Sequence, residues 1–339
     1  MRGCCIRTPV MKYNDEIRVA RSAVSRAAAV CRKVHNRIEG VMALEKEDRS
    51  PVTVADFGSQ AIITMVLLQA FPDDMIVGEE GSDELKKSSD VLQQVLALVT
   101  SDMPGATRSD VIDAVDRSSG AADFGRRCWA VDPIDGTRGF LRGDQYAIAL
   151  ALVDSGRVVL GVLGCPRFNE GSGRGTEHSG SIVYAVEGQG ACIEMIATGQ
   201  KKAVSVDCIK DPCEARFCES VERAHASHEV HARITAALGI GSAPCRIDSQ
   251  AKYAAVACGR ASLYLRLPRS SNYREKIWDH AAGEIIVREA GGSVTDFRGN
   301  ALDFTAGKTL EKNYGILASN GHLHDKALEV IDRIISEKT

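Results

Sequence analysis

The stretch "YAIALALVDSGRVVLGVLGCP", residues 146–166, constrains the fold of this chain more than any other. Two apolar runs alternate large with small side chains on either side of the turn DSGR, the pattern of an antiparallel hairpin in a half-buried sheet. "SIVYAVEGQGACI", residues 181–193, repeats it. Ahead of this sheet, Ile17, Ala20, Val24, Ala27, Cys31, Val34 and Ile38 recur at helical spacing behind Asn14, a suitable N-cap, which predicts an amphipathic helix over 15–38. A second helix is expected to begin near Asp56 and to be stopped by Pro72. "MIVGEE" then reads as a short strand ending in Glu79 and Glu80. Residues 81–127 are polar, with one helical segment around "DVLQQVLALV", and read as an excursion from the core. Beyond residue 200 short apolar strands alternate with helices. Single cores stop growing near this length, so two domains are expected. One is an N-terminal α+β unit, 1–200, with a mostly antiparallel sheet, and the other a smaller C-terminal α/β unit, 201–339.

Several functional classes are disfavoured by charge and hydropathy. The formal net charge is −3, with 44% hydrophobic and 26% charged residues, so there is no electrostatic case for wrapping a nucleic-acid polymer or for lying on an anionic membrane. No apolar run approaches the ~18 residues of a spanning helix, and the N-terminal decapeptide lacks a signal-peptide core. A cytoplasmic, monomeric protein is the expectation. The eleven cysteines fall without CxxC spacing and are expected to be free thiols rather than disulfides or zinc ligands.

"WAVDPIDGTRGF", residues 129–140, places Asp132 and Asp135 either side of a proline and follows them with Gly136 and Thr137. The apolar approach delivers Asp132 to the edge of the core, and Pro133 is expected to stop the strand before Ile134. Two such carboxylates raise each other's pKa unless a cation neutralises them. An all-oxygen donor set suits a hard divalent ion, magnesium above all. Gly136 and Thr137 then open a short helix whose N–H groups can receive a phosphate. Asp279, after Ile277 and Trp278 in "KIWDHAAG", stands at a helix start, where a carboxylate either caps the helix or reaches a metal.

"GEE", "DPIDGTRGF" and "WDHAAG", in that order, resemble the three signatures of the magnesium-dependent, lithium-sensitive phosphatases typified by inositol monophosphatase. Within them, "SPVTVADFGSQ", "GFLRGDQYAIALALV", "VERAHASH", "DSQAKY", "LYLRLP" and "EKIWDHAAG" look like the 3'(2'),5'-bisphosphate nucleotidase branch. The resemblance implies a layered αβαβα sandwich that hydrolyses the 3'-phosphate of adenosine 3',5'-bisphosphate (PAP) to AMP, with activity on its sulfated form, PAPS. Inositol 1,4-bisphosphate and inositol monophosphate are the alternative substrates, and a non-catalytic nucleotide sensor is the alternative from another class.

The resemblance also implies roles. Glu79, Asp132 and the backbone carbonyl of Ile134 would hold one Mg²⁺, and Asp132, Asp135 and Asp279 a second; a third, weaker ion near Glu79 belongs to the family pattern, as does inhibition by Li⁺. Asp56 and Thr137 would activate water. Gly136, Thr137, Ser249, Lys252 and Arg266 would bind substrate phosphates, and His225 would lie against the adenine. Arg138 stands where many nucleotidases carry lysine. The spacing of His225, His228 and His231 also admits a zinc site, which a hard-oxygen centre makes the weaker alternative.

Overall fold

The computed structural model describes residues 12–35, 43–45, 51–120, 125–168, 180–221, 228–268, 270 and 273–337. In chain order the first elements are α1 (Asn14–His35), β1 (Ala43–Glu45), β2 (Pro51–Thr53), α2 (Val54–Ala70), β3 (Met75–Gly78), α3 (Ser82–Lys87), α4 (Ser89–Thr100) and α5 (Arg108–Ser119). There follow β4 (Cys128–Asp135), α6 (Thr137–Arg142), β5 (Ala147–Asp154), β6 (Arg157–Cys165), β7 (Ser181–Val186), β8 (Ala191–Met195) and β9 (Lys201–Val204). The remainder comprises β10 (Phe217–Glu219), α7 (His228–Leu238), β11 (Cys245–Arg246), α8 (Ala251–Ala257), β12 (Leu263–Arg266), α9 (Ala281–Glu289), β13 (Ser293–Thr295), β14 (Ile316–Ser319) and α10 (His324–Ser336).

Strands β3 to β9 form one sheet in sequence order, antiparallel except for the parallel β3–β4 pair. A second sheet has the order β11-β10-β12-β14-β13 and is mixed. Three hydrophobic cores bind five layers. The first lies between α1, α2 and the outer face of the seven-stranded sheet, the second holds α8 and α9 between the two sheets, and the third lies under α7 and α10. This is the αβαβα sandwich.

The alternation along β5 assigns its faces. Ile148, Leu150 and Leu152 point to the first core, whereas Ala147, Ala149 and Ala151 point to the second. The small residues do not face solvent, as a half-buried hairpin would require. Instead both faces are buried, and the small side chains make room for α9. Gly161 on β6 shows how close that approach is: a Cβ there would lie 2.6 Å from Ile285 Cγ2 and 2.7 Å from the Ala282 carbonyl oxygen.

The polar segment after β3 is also more ordered than its composition suggests. Instead of one helical stretch its described residues form three helices, two of which pack on α2 through Val91, Val95 and Val99 and through Val111 and Val115. Ser88 caps α4, and Thr107 with Asp110 forms a reciprocal capping box at the start of α5. Helix α1 is described as far as His35; Ile38 of the expected helix lies outside the described residues.

Because α9 has no space to retreat, Gly161→Ala is expected to destabilise the protein by about 1–3 kcal/mol, an overpacking effect measurable by urea unfolding.

Candidate active site

Strand β4 does not end at Pro133. It runs to Asp135 with a register shift: Asp132 pairs with Ala149, and Asp135, three residues on, pairs with Ala147, only two residues back. The inserted residue is a β-bulge, one of the few places where a sheet accepts proline. Its consequence is geometric. In a regular strand residues i and i+3 face opposite sides, but the bulge turns Asp132 and Asp135 to the same side, the face of Ala147 and Ala149 that looks toward the second sheet. Ser59 on α2 fixes the bulge by donating its hydroxyl to the Pro133 carbonyl at 2.9 Å. Thr137, in the first turn of α6, donates to the Ile134 carbonyl at 3.2 Å.

Asp132 is buried, and its Oδ1 has no hydrogen-bond partner. Burial raises its pKa well above the ordinary range, and the charges of Glu79, Asp135, Asp279 and Asp56 push it further in the same direction. The carboxylates singled out in the sequence thus surround one buried acid. Asp56 is buried in the first turn of α2, and Glu79 is exposed just past the end of β3. Gln60 brackets the residue beside it: its amide accepts from the Glu80 N–H at 3.0 Å and donates to the Glu80 carbonyl at 2.8 Å and to Ser118 of α5 at 2.9 Å. The segment read as an excursion therefore braces the site.

The second half of the chain brings the positive charge. Ser249 has a left-handed backbone, φ 68°, which turns the N–H of Gln250 onto Asp135 Oδ2 at 2.6 Å. Lys252 is buried on α8 and donates to the Ser249 carbonyl at 2.8 Å. Burial lowers its pKa, while Asp135 works in the opposite sense. Asp135 is raised by burial, with Lys252 and then Arg266 opposing the rise. Arg266, the last residue of β12, lies 3.1 Å from Glu275 and 3.6 Å from Asp279. Asp279 is in a 3-10 turn, Ile277–Asp279, two residues before α9 rather than at its first position.

A model of the inositol monophosphatase family matches residues 13–336. The chain belongs to this family. It is 42% identical to a 3'(2'),5'-bisphosphate nucleotidase of Oryza sativa, with 96% of each chain covered. It is 40% identical to 3'(2'),5'-bisphosphate nucleotidase 1 of Candida albicans over 96% of this chain and 97% of that one. To the 3'(2'),5'-bisphosphate nucleotidase of Schizosaccharomyces pombe it is 38% identical, over 96% and 98%. Among solved structures, an IMPase of Thermotoga maritima matches with a TM-score of 0.67 at 24% identity, covering 95% of this chain and 99% of that one. The inositol monophosphatase of Anabaena (Nostoc) sp. PCC 7120 gives 0.63 at 20% identity, over 95% and 97%. At those identities the structures establish the shared fold. As a member of the family the chain is a phosphatase, and a small-molecule phosphate with a metal-dependent site fits it.

The residues present pass the test for a hard cation. A buried carboxylate oxygen without a partner, ringed by further carboxylates, is an anionic site that a divalent ion would satisfy. Among the described residues the group of three potential ligands that comes within 4.8 Å is Glu275, Asp279 and His280. Glu79, Asp132, Asp135 and Asp279 share one electrostatic neighbourhood without any three reaching that separation. Glu275 and His280 are already engaged: Glu275 by Arg266, and His280 between the Tyr253 hydroxyl at 2.8 Å and Glu275 at 3.2 Å. Burial would raise the Glu275 pKa, but Arg266 and His280 hold it down at about 2. These two residues, with Gln60 and Gln250, were not foreseen. Glu275 and His280 flank Asp279 within "EKIWDH", and that proximity was the available signal.

His225 lies outside the described residues. His228 Nε2 contacts the Ser220 carbonyl at 3.2 Å, and the buried His231 pairs through Nδ1 with Glu219 at 3.2 Å while its Nε2 has no partner.

Asp279 has its pKa raised from 3.8 to about 7, chiefly by burial and against the pull of Arg266. Between those values the folded state holds more protons than the unfolded one, so the metal-free protein loses stability as pH rises from about 4 to 7. Melting curves in chelator are expected to show that decline, a larger stabilisation by Mg²⁺ at pH 7 than at pH 5, and a flatter pH profile in Asp279→Asn.

Proposed function

We propose that this protein is a 3'(2'),5'-bisphosphate nucleotidase that hydrolyses the 3'-phosphate of PAP to AMP and phosphate, and that it also acts on PAPS. The observation that carries the reading is similarity along nearly the whole chain to nucleotidases of a plant and two fungi. The site supports it, because the acids of the first half meet two buried cations, Lys252 and Arg266, from the second. A bisphosphate has a use for positive charge beyond the scissile group.

In this proposal Glu79, Asp132 and the Ile134 carbonyl hold one magnesium ion, and Asp132, Asp135 and Asp279 a second. Bound there, such a pair supplies a water of lowered pKa and neutralises charge on the phosphoryl oxygens. Asp56 and Thr137 orient the attacking water, and Asp56 accepts its proton. The bulge presents Asp132 and Asp135 together, while Lys252, Arg266 and the Gln250 N–H oppose the rise that burial imposes on Asp135. Gly136 and Thr137 offer backbone N–H groups to the scissile phosphate. Ser249, Lys252 and Arg266 serve the second phosphate, and His225 the base.

Phosphate release with Mg²⁺ tests this on PAP, PAPS, inositol 1,4-bisphosphate and inositol 1-phosphate side by side. PAP is expected to be strongly preferred. Asp132→Asn is expected to lower kcat by about 100-fold or more. Lys252→Ala is expected to lower kcat/KM on PAP by about tenfold or more, with a smaller loss on inositol 1-phosphate. Preference for an inositol substrate would refute the nucleotide assignment, and tight PAP binding without release would identify a sensor. Li⁺ resembles Mg²⁺ in size with half its charge, so inhibition that added Mg²⁺ does not relieve is expected. Full activity at tens of millimolar Li⁺ would exclude that.

A further inference from the structure

Strands β10 and β11 run parallel and set Cys218 directly opposite Cys245. Adjacent strands lie about 4.8 Å apart, inside the roughly 4.4–6.8 Å that a disulfide spans between Cα atoms. That pairing puts the two thiols within interaction range of each other. Cys218 is fully buried in the core between the sheets, whereas Cys245 is exposed on the edge strand. One sulfur is thus open to reagents in solution while its partner is sheltered directly behind it. We propose that Cys218 and Cys245 form a thiol–disulfide exchange site for a small disulfide of the glutathione type, with Cys245 as the attacking thiolate and Cys218 as the resolving thiol.

The surroundings favour that division of labour. Cys245 is lowered to about 6, first by its interaction with Cys218 and, against burial, by the positive charges of Arg216 and Arg260. Cys218 is raised well above its ordinary value by burial and by its interaction with Cys245, so the inner sulfur holds its proton more tightly than the outer one. In the first step the Cys245 thiolate attacks glutathione disulfide, forming the mixed disulfide and releasing one glutathione thiolate. Capping removes the negative charge that kept Cys218 protonated, and the charge of Lys252 favours its ionisation. Cys218 then attacks the Cys245 sulfur, forming the protein disulfide and expelling the second glutathione, which takes up the Cys218 proton. Two protein thiols are oxidised and one glutathione disulfide is reduced to two thiols.

The cross-link would sit at the head of the segment that leads from Cys245 through Asp248 to Ser249 and Gln250. Asp248 is held by Arg142 at 2.5 Å and accepts from the Val221 N–H at 3.1 Å, so the cross-linked strands already share a clamp with the site.

To test this, the reduced full chain is incubated with glutathione disulfide, quenched with acid and N-ethylmaleimide, and peptide-mapped without reductant. The expected product is a peptide pair joined through Cys218 and Cys245. In Cys218→Ser, or in Cys218→Ala should serine disturb the core, Cys245 is expected to retain glutathione. In Cys245→Ser, Cys218 is expected to stay reduced. Iodoacetamide at pH 7 should alkylate Cys245 about tenfold faster than the exposed Cys208 or Cys213. A wild-type protein whose Cys245 stays glutathionylated with Cys218 reduced, or whose Cys245 reacts no faster than Cys208, would overturn the proposal. Native melting curves for the reduced variants keep either result interpretable.

Discussion

One inserted residue in β4 sets the electrostatic problem that the surrounding structure answers. By turning Asp132 and Asp135 to one face of the sheet, the bulge brings like charges together, the first buried and the second half-buried, where water screens them poorly. Like charges brought together in a medium of low dielectric repel far more strongly than in water. Exposed ion pairs, worth about 0–1 kcal/mol, are too weak to offset that. The compensation is accordingly buried: the Gln250 N–H and Lys252 act on Asp135, and Arg266 reaches Asp279. Arg266 would itself be costly to bury, and Glu275, held by His280 and Tyr253 in turn, balances it.

The acids and their counter-charges come from different halves of the chain. Glu79, Asp132 and Asp135 sit at the ends of strands in the seven-stranded sheet, whereas Lys252, Arg266, Glu275 and Asp279 belong to the segments that build and flank the second. Neither half alone contains both the anionic cluster and the charges that stabilise it.

Much of this was legible in the sequence because it rests on local pattern. The hairpin of β5 and β6, the long first helix and the order of the three acidic motifs all follow from residues close together in the chain. What stayed hidden depends on register and on partners far away. Pro133 looked like a strand terminator because nothing local shows that Ser59 receives the displaced carbonyl. The alanines of β5 suggested a half-buried sheet because a covering helix 130 or so residues away leaves no mark on the strand itself. Helices α3 and α5 were missed because only one narrow side of each is apolar, although the box of Thr107 and Asp110 was present as a signal. Cys218 and Cys245 become neighbours only through the pairing of β10 with β11.

The close seating of α9 on the first sheet has a mechanical corollary. Interfaces that are large and apolar resist relative domain motion, and here a helix from the second half is pressed on Gly161 and the small face of β5, with Asp279 just ahead of its first turn. A clamshell opening would have to peel that helix away and expose the core between the sheets. The acids of the candidate site are therefore held at a fixed separation by the body of the protein, on a floor that the two halves build together.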